Sequence, residues 1–152
     1  MKRIAVLIAV AVAVAVAVAA APAMAAEPSP YLGAWRITEA HAAPWAVPGS
    51  PDGNPESRRL VGKAVVYAPG RIVGPLPLAC SAPHYAMHDA PLDELFQGTL
   101  TAPEAQAAAL GFHGPLVPTL ETGCAGWIDF HFADASTAMF GLNDMVYTLR
   151  RQ

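Results

Sequence analysis

The stretch Trp127–Leu149, WIDFHFADASTAMFGLNDMVYTL, decides the fold class. Apolar residues stand at every second position of its first segment, and Asp129 and His131 lie between them. This alternation is typical of a β-strand with one buried face and one wet face. A turn at Gly141–Asp144 then separates two further apolar runs, as in a β-hairpin. The segment therefore predicts three strands, at Trp127–Ala133, Thr137–Phe140 and Met145–Leu149.

The rest of the chain follows the same plan of short strands between turns. Further strands are predicted at Tyr31–Ala40, Leu60–Tyr67, Arg71–Val73, Cys80–His88, Leu95–Leu100 and Val117–Glu121. One helix is predicted at Ala102–Leu110, because Pro103 suits a first turn and Gly111 ends it. Four prolines and two glycines make His41–Ser57 a long loop. The predicted fold class is mainly β, a small antiparallel β-barrel of about eight strands with one short α-helix.

The N-terminus is predicted to carry a leader. Met1–Arg3 is basic, Ile4–Ala21 is uninterrupted apolar sequence, and Ala23-Met-Ala25 has the small residues of a cleavage site. This is the pattern of a signal peptide, so residues 1–25 are predicted to be removed and 26–152 to form a single domain in the periplasm or outside the cell. A membrane anchor is the alternative, but alanine inserts weakly and Pro22 follows at once. We expect no membrane anchor in the mature form.

Charge narrows the range of partners. The 152-residue chain is 54% hydrophobic and only 14% charged, and much of the apolar excess lies in the leader. The remaining 127 residues hold seven basic and twelve acidic side chains, a net charge of −5. They contain no run of Lys and Arg to release phosphate counterions, so we expect no nucleic-acid partner.

The two cysteines are interpreted through the predicted compartment. Cys80 and Cys124 are the only pair in the chain, and an oxidising compartment favours a bond between them. Closing a loop of about 45 residues stabilises a fold by roughly 4 kcal/mol in the chain-entropy treatment. Two free buried thiols are the alternative.

The first predicted strand contains a family signature. Tyr31-Leu-Gly-Ala-Trp35-Arg-Ile resembles the opening Gly-x-Trp motif of the lipocalin-like, or calycin, β-barrels, whose Trp closes one barrel end beneath an Arg or Lys from the last strand. Arg150 and Arg151 follow the last predicted strand and are the candidates to pack on Trp35. The resemblance implies a small secreted barrel, and such bacterial barrels include inhibitors of proteases and lysozymes as well as ligand carriers. It leaves the function open.

Histidines supply the candidate metal ligands. In an extended segment His84 and His88 share one face, and Asp129 and His131 share another. Together they form a hypothetical metal site, although metal sites need three or four converging ligands and the sequence shows only pairs. Alternation with a wet face explains the same pattern without a metal.

Motifs for catalysis and cofactors are missing from the sequence. There is no Gly-x-Ser-x-Gly, no phosphate loop, no dinucleotide fingerprint and no haem-attachment motif. The chain is therefore predicted not to be an enzyme and to need no cofactor.

Candidate recognition residues lie in the loops. Trp45 stands among prolines and is either an exposed anchor or a plug for the barrel mouth. His113 lies between two turn glycines and is predicted to be exposed. The tail 26–30 is extended and proline-stiffened, and either enters a protease cleft or is a leader remnant.

Three functions remain as hypotheses. The first is an exported non-enzymatic binding protein for a small apolar ligand or a protein partner. The second is a secreted inhibitor of a lysozyme or protease, and the third is a periplasmic metal-binding protein. A barrel filled with side chains would favour protein recognition over ligand carriage.

Overall fold

A computed structural model describes residues 29–124 and 127–152. The predicted signal peptide and the first residues of the tail lie outside the described residues. Within the described part, no helix has the length and apolar character needed to cross a membrane.

The described chain forms one eight-stranded antiparallel sheet. The sheet order is β3-β2-β1-β8-β7-β6-β5-β4, so β8 and β7 lie in the centre and β3 and β4 at the two edges. The predicted mainly β class is confirmed, and the sheet curls into a half-barrel. The strands are β1 Gly33–Ala42, β2 Ala64–Ala68, β3 Arg71–Val73, β4 Ala86–Pro91, β5 Leu116–Glu121, β6 Phe130–Asp134, β7 Thr137–Leu142 and β8 Met145–Arg151.

The inner face of the curl is filled with large side chains. Trp35, Phe140 and Tyr147 are each 1% exposed or less. Phe140 stacks on Tyr147 with ring centroids 4.8 Å apart. The apolar residues gather on this face because strand alternation directs them to one side of the sheet.

At one end of the curl, the edge strand β3 meets the segments that precede β4 and follow β5 along a seam, and β4 itself lies outside this seam. The predicted disulfide is confirmed: Cys80 joins Cys124 with their Cα atoms 6.1 Å apart. Cys80 bridges to Ile72 of β3, whereas Cys124 follows β5. The Tyr85 hydroxyl adds a hydrogen bond of 2.9 Å to the Ala68 carbonyl. The seam is thus held by one covalent bond and by side chains.

A short helical layer covers part of the outer face of the sheet. It consists of a 3-10 helix at Leu92–Glu94, a four-residue segment α2 at Leu95–Gly98 and the helix α3 at Pro103–Ala109. Phe96 of α2 and Phe112, which follows α3, pack on the outer face beside Val146 of β8. The central strand β8 is therefore buried on both sides.

Three predicted strands are wrong in their position or type. The strand expected at Cys80–His88 begins only at Ala86 and runs to Pro91, because Pro83 has no N–H to pair and Cys80 forms a single bridge to Ile72. Leu60–Tyr67 was expected to be extended from its start, but Leu60 ends another helix, α1 at Pro55–Leu60, whose first turn is capped by Asn54 and Ser57 in a reciprocal box. Leu95–Leu100 was expected to be a strand and instead forms α2. The predicted helix Ala102–Leu110 agrees with α3.

At one end of the half-barrel, Arg151 of β8 packs on Trp35 of β1. The Arg151 guanidinium lies 4.7 Å from the centre of the Trp35 ring. It also donates hydrogen bonds to the carbonyls of Pro30, Leu32 and Ala135. Arg150 has a different role, since its side chain donates to the Thr137 hydroxyl.

Replacing Arg151 tests this contact. We expect Arg151→Met to lower the free energy of unfolding by about 1–2 kcal/mol, because it removes the cation–π contact and the bonds to three carbonyls. Urea unfolding measures the change, with Arg150→Met as the matched control at less than about 1 kcal/mol. Equal losses in the two variants would contradict the assignment.

Candidate interaction surface at the open edge

The strand β4 is an open edge of the sheet. Among the described residues only β5 pairs with it. Its first four residues, Ala86–Asp89, are all exposed, whereas Ala90 is buried under the helical layer. An edge strand of this kind presents unpaired N–H and C=O groups to solvent.

An apolar groove lies beside this edge on the inner face. In the β4–β5 pairing Met87 stands opposite Leu120, which is fully buried, so the face of Met87 continues the core. Where the curl opens, that face is uncovered: Met87 is 38% and Leu116 51% exposed. A groove of about 280 Å³ follows, lined by Pro30, Met87, Pro118, Phe132, Ala133, Asp134 and Ala135.

Two carboxylates border the groove. Asp134 lines it directly, and hydrogen bonds from the Ser136 side chain and backbone N–H hold the pKa of Asp134 below its usual value. Asp89 is exposed and stands opposite Pro118 in the strand pairing. The rim of the groove is therefore acidic.

The outer face of the same strands carries a second polar group of residues. His88 Nδ1 lies 3.8 Å from Glu121 Oε1. Burial raises the pKa of Asp129, against the effect of a hydrogen bond donated by Gln97. Trp127 is 87% exposed and shares a pocket of about 160 Å³ with Glu121 and Asp129.

His131 lies on this outer face but is buried. The Phe96 N–H donates to His131 Nε2 at 2.9 Å, so the ring proton lies on Nδ1. From there it is donated to the Thr119 hydroxyl oxygen, 2.9 Å away. The Thr119 hydroxyl in turn donates to the Val117 carbonyl. Burial, with a smaller effect of the charge on His88, lowers the pKa of His131 to about 3. The histidine therefore stays neutral and fully hydrogen-bonded.

The hypothetical metal ligands do not converge. His88 and His131 lie on one face with Thr119 between them in the cross-strand pairing, and both ring nitrogens of His131 are already hydrogen-bonded. His84 is exposed beside Gly123, and Asp129 bonds to Gln97. Within residues 29–124 and 127–152, no group of three or more His, Cys, Asp or Glu side chains could hold a metal ion.

The loop candidates occupy different environments. Trp45 is half-buried: its Nε1 donates to the Asn143 carbonyl at 3.0 Å, and its ring packs 5.3 Å from that of Phe96. It thus covers the outer face and neither protrudes as an anchor nor fills the barrel mouth. His113 is exposed, as predicted. Of the tail, Ser29 and Pro30 are described, and Pro30 lines the groove.

The sequence contains one signal of this surface that lies in its charge distribution and not in a motif. Residues 72–149 hold no Lys or Arg and eight carboxylates. These residues build β4 to β7 and the helical layer, whereas the seven Lys and Arg side chains of the described chain lie in residues 29–71 and 150–152. The open edge therefore belongs to an acidic half of the molecule.

Comparison of the chain with protein-family models, with curated proteins and with solved structures finds no match. The likeness to calycins stays a resemblance in one motif.

Proposed function

We propose that the protein is an exported, non-enzymatic binding module that recognises a partner protein through the open edge β4 and the apolar groove beside it. The observation that carries the proposal is the uncovered continuation of the core face at Met87, Leu116 and Pro118. Exposed apolar surface rimmed by polar residues is typical of protein interaction sites.

The filled interior favours a protein partner over a carried small ligand. Trp35, Phe140 and Tyr147 occupy the space in which a lipocalin-like barrel would hold its ligand. The apolar groove lies outside this core, next to an unpaired strand edge that suits a polypeptide.

Different observations support the proposed export and the proposed non-enzymatic role. The leader pattern and the disulfide fit an oxidising compartment such as the periplasm. For the non-enzymatic role, the most strongly perturbed histidine, His131, serves as a buried structural group covered by Phe96 and Phe112.

Site-specific crosslinking tests the proposal. A photoreactive residue at Met87 is expected to capture one partner in the native host, and the same residue at Val47, which is 72% exposed and outside the groove, is not. The partner is then purified and the complex reconstituted. We expect Met87→Glu to weaken this complex at least tenfold and Val47→Glu less than twofold. Equal effects at both positions would refute the proposed surface.

An enzyme inhibitor is the second candidate. The observation that favours it is Pro30, which places the end of the tail against the groove. Trp45 gives it no support because that ring is packed on the sheet. Titration against a panel of lysozymes and proteases tests this function. If Met87→Glu leaves the inhibition unchanged, the inhibitory surface lies outside the groove.

A further inference from the structure

We infer that β4 accepts a basic, extended segment of the partner as a ninth strand of the sheet, with apolar side chains over Met87 on the inner face and Lys or Arg side chains toward Glu121 on the outer face. The inference rests on the proposed function and names the chemistry of the partner at the same surface.

The backbone of β4 is suited to strand addition. Its six residues pair on one side with β5 in continuous register, from Ala86 opposite Glu121 to Pro91 opposite Leu116. On the other side, within the described chain, no strand follows. An added strand would satisfy the free N–H and C=O groups of Ala86–Asp89, which are exposed to solvent.

Side-chain alternation decides what the added strand must carry. Successive side chains of a strand point to opposite faces of the sheet. On the inner face an added residue meets Met87, itself next to the apolar groove. On the outer face it meets Ala86 and His88, behind which Glu121 lies. A segment that alternates apolar and polar residues matches both faces.

The negative charge around β4 favours Lys and Arg at the polar positions of the added strand. Glu121 lies on the outer face that these polar residues share, and Asp89 and Asp134 on the inner side add to the negative field of the edge. The Arg151 guanidinium, close to the groove, is engaged by Trp35 and by three carbonyl groups. Since residues 72–149 contribute eight carboxylates and no Lys or Arg, complementary charge on the partner is positive.

The same charge argument disfavours a second copy of the chain as the occupant. Pairing β4 with β4 of another molecule would bring two acidic halves together, and like charges across an interface oppose association. Basic extended segments gain from this field, which also accelerates their encounter with the edge at low salt.

A designed peptide tests the inference on the intact mature protein. The probe is an acetylated, amidated hexapeptide of alternating lysine and valine, and the matched peptide has glutamate in place of lysine. We expect the lysine peptide to bind at least tenfold more tightly in an NMR titration and to slow the hydrogen exchange of β4 amides. Asp89→Asn with Glu121→Gln is expected to weaken binding at least fivefold. Asp144→Asn, in a turn of the same acidic half, should change it less than twofold.

Backbone methylation separates strand addition from simple charge attraction. Residues of a strand present their N–H groups alternately to its two edges. Of two lysine peptides, one N-methylated at every valine and one at every lysine, only one is expected to lose binding tenfold. Equal affinities, equal losses, or lysine and glutamate peptides that bind alike would each overturn the inference, and neither methylated peptide depends on the folding of a variant.

The partner complex distinguishes this inference from the proposed function. If Met87→Glu disrupts the reconstituted complex but the lysine peptide does not compete with the partner, the inference fails and the proposed function stands. If Met87→Glu leaves the complex unchanged, the proposed function fails as well. Concentration-dependent dimerisation that Met87→Glu abolishes would identify a second copy as the occupant and overturn the inference.

Discussion

Acidification from pH 6.5 to about 3 is expected to lower the free energy of unfolding by roughly 4–5 kcal/mol through His131 alone. The pKa of His131 is about 3 in the folded protein and near 6.5 in the unfolded chain. Between pH 6.5 and about 3, His131 is therefore protonated in the unfolded chain and neutral in the folded protein. Each pH unit of acidification in this range lowers the free energy of unfolding by about 1.4 kcal/mol. The stabilisation is fully present above pH 6.5 and is lost progressively down to about pH 3.

The pKa of His131 is low because the ring is buried and both of its nitrogens are already hydrogen-bonded. Protonation of Nε2 would break its bond from the Phe96 N–H and leave a charge beneath Phe96 and Phe112. The charged group on the neighbouring strands that faces His131 is His88, whose own positive charge lowers the pKa of His131 further. Asp129 and Asp134 also titrate in acid, with pKa values shifted in opposite directions.

A variant comparison isolates the contribution of His131. We expect His131→Gln to be about 2 kcal/mol less stable than the wild type at pH 7, because a buried hydrogen-bond network is disturbed, but to lose less stability on acidification. Urea unfolding between pH 7 and 4.5 measures the slopes. The control His113→Gln changes an exposed histidine and should follow the wild type. Parallel slopes for wild type and His131→Gln would contradict the assignment.

The strands of the fold could be predicted where alternation is local. The pattern of Trp127–Ala133 corresponds to β6, with Phe130 in the inner core and His131 on the outer face. The segment Leu95–Leu100 could not be predicted, because Phe96 and Gln97 adopt φ of +51° and +58°, conformations for which their residue types give no signal. A distant contact, the bond from Phe96 N–H to His131, accompanies this turn.

The candidate surface at β4 could not be predicted from local sequence either. Met87 and Pro118 are apolar residues on strands, and such residues are ordinarily core. They become a surface because β4 lies at the end of the sheet order and the curl remains open beside it. Strand order is a long-range property that local periodicity does not contain. The acidic character of residues 72–149, by contrast, is legible in the sequence.

Removing the disulfide is expected to lower the free energy of unfolding by about 4 kcal/mol. The bond closes a loop with a sequence separation of 44 residues, and the chain-entropy treatment assigns this value to a loop of that length because the reduced unfolded chain is less constrained. The effect is expected both in Cys80→Ala with Cys124→Ala and in the wild type with reductant. A larger dependence on urea concentration should accompany it, since the unfolded chain exposes more surface.

The control separates the covalent bond from the rest of the seam. Tyr85→Phe removes the hydroxyl bonds to the carbonyls of Ala68 and Arg71 while it keeps the ring, and we expect about 1 kcal/mol from it. A loss of 1 kcal/mol or less for the cysteine variant would contradict the prediction. In that case packing along the seam, rather than the crosslink, would hold the seam together. If the prediction holds, the molecule has one covalently tied seam next to one open edge at β4, which leaves that edge available to a partner.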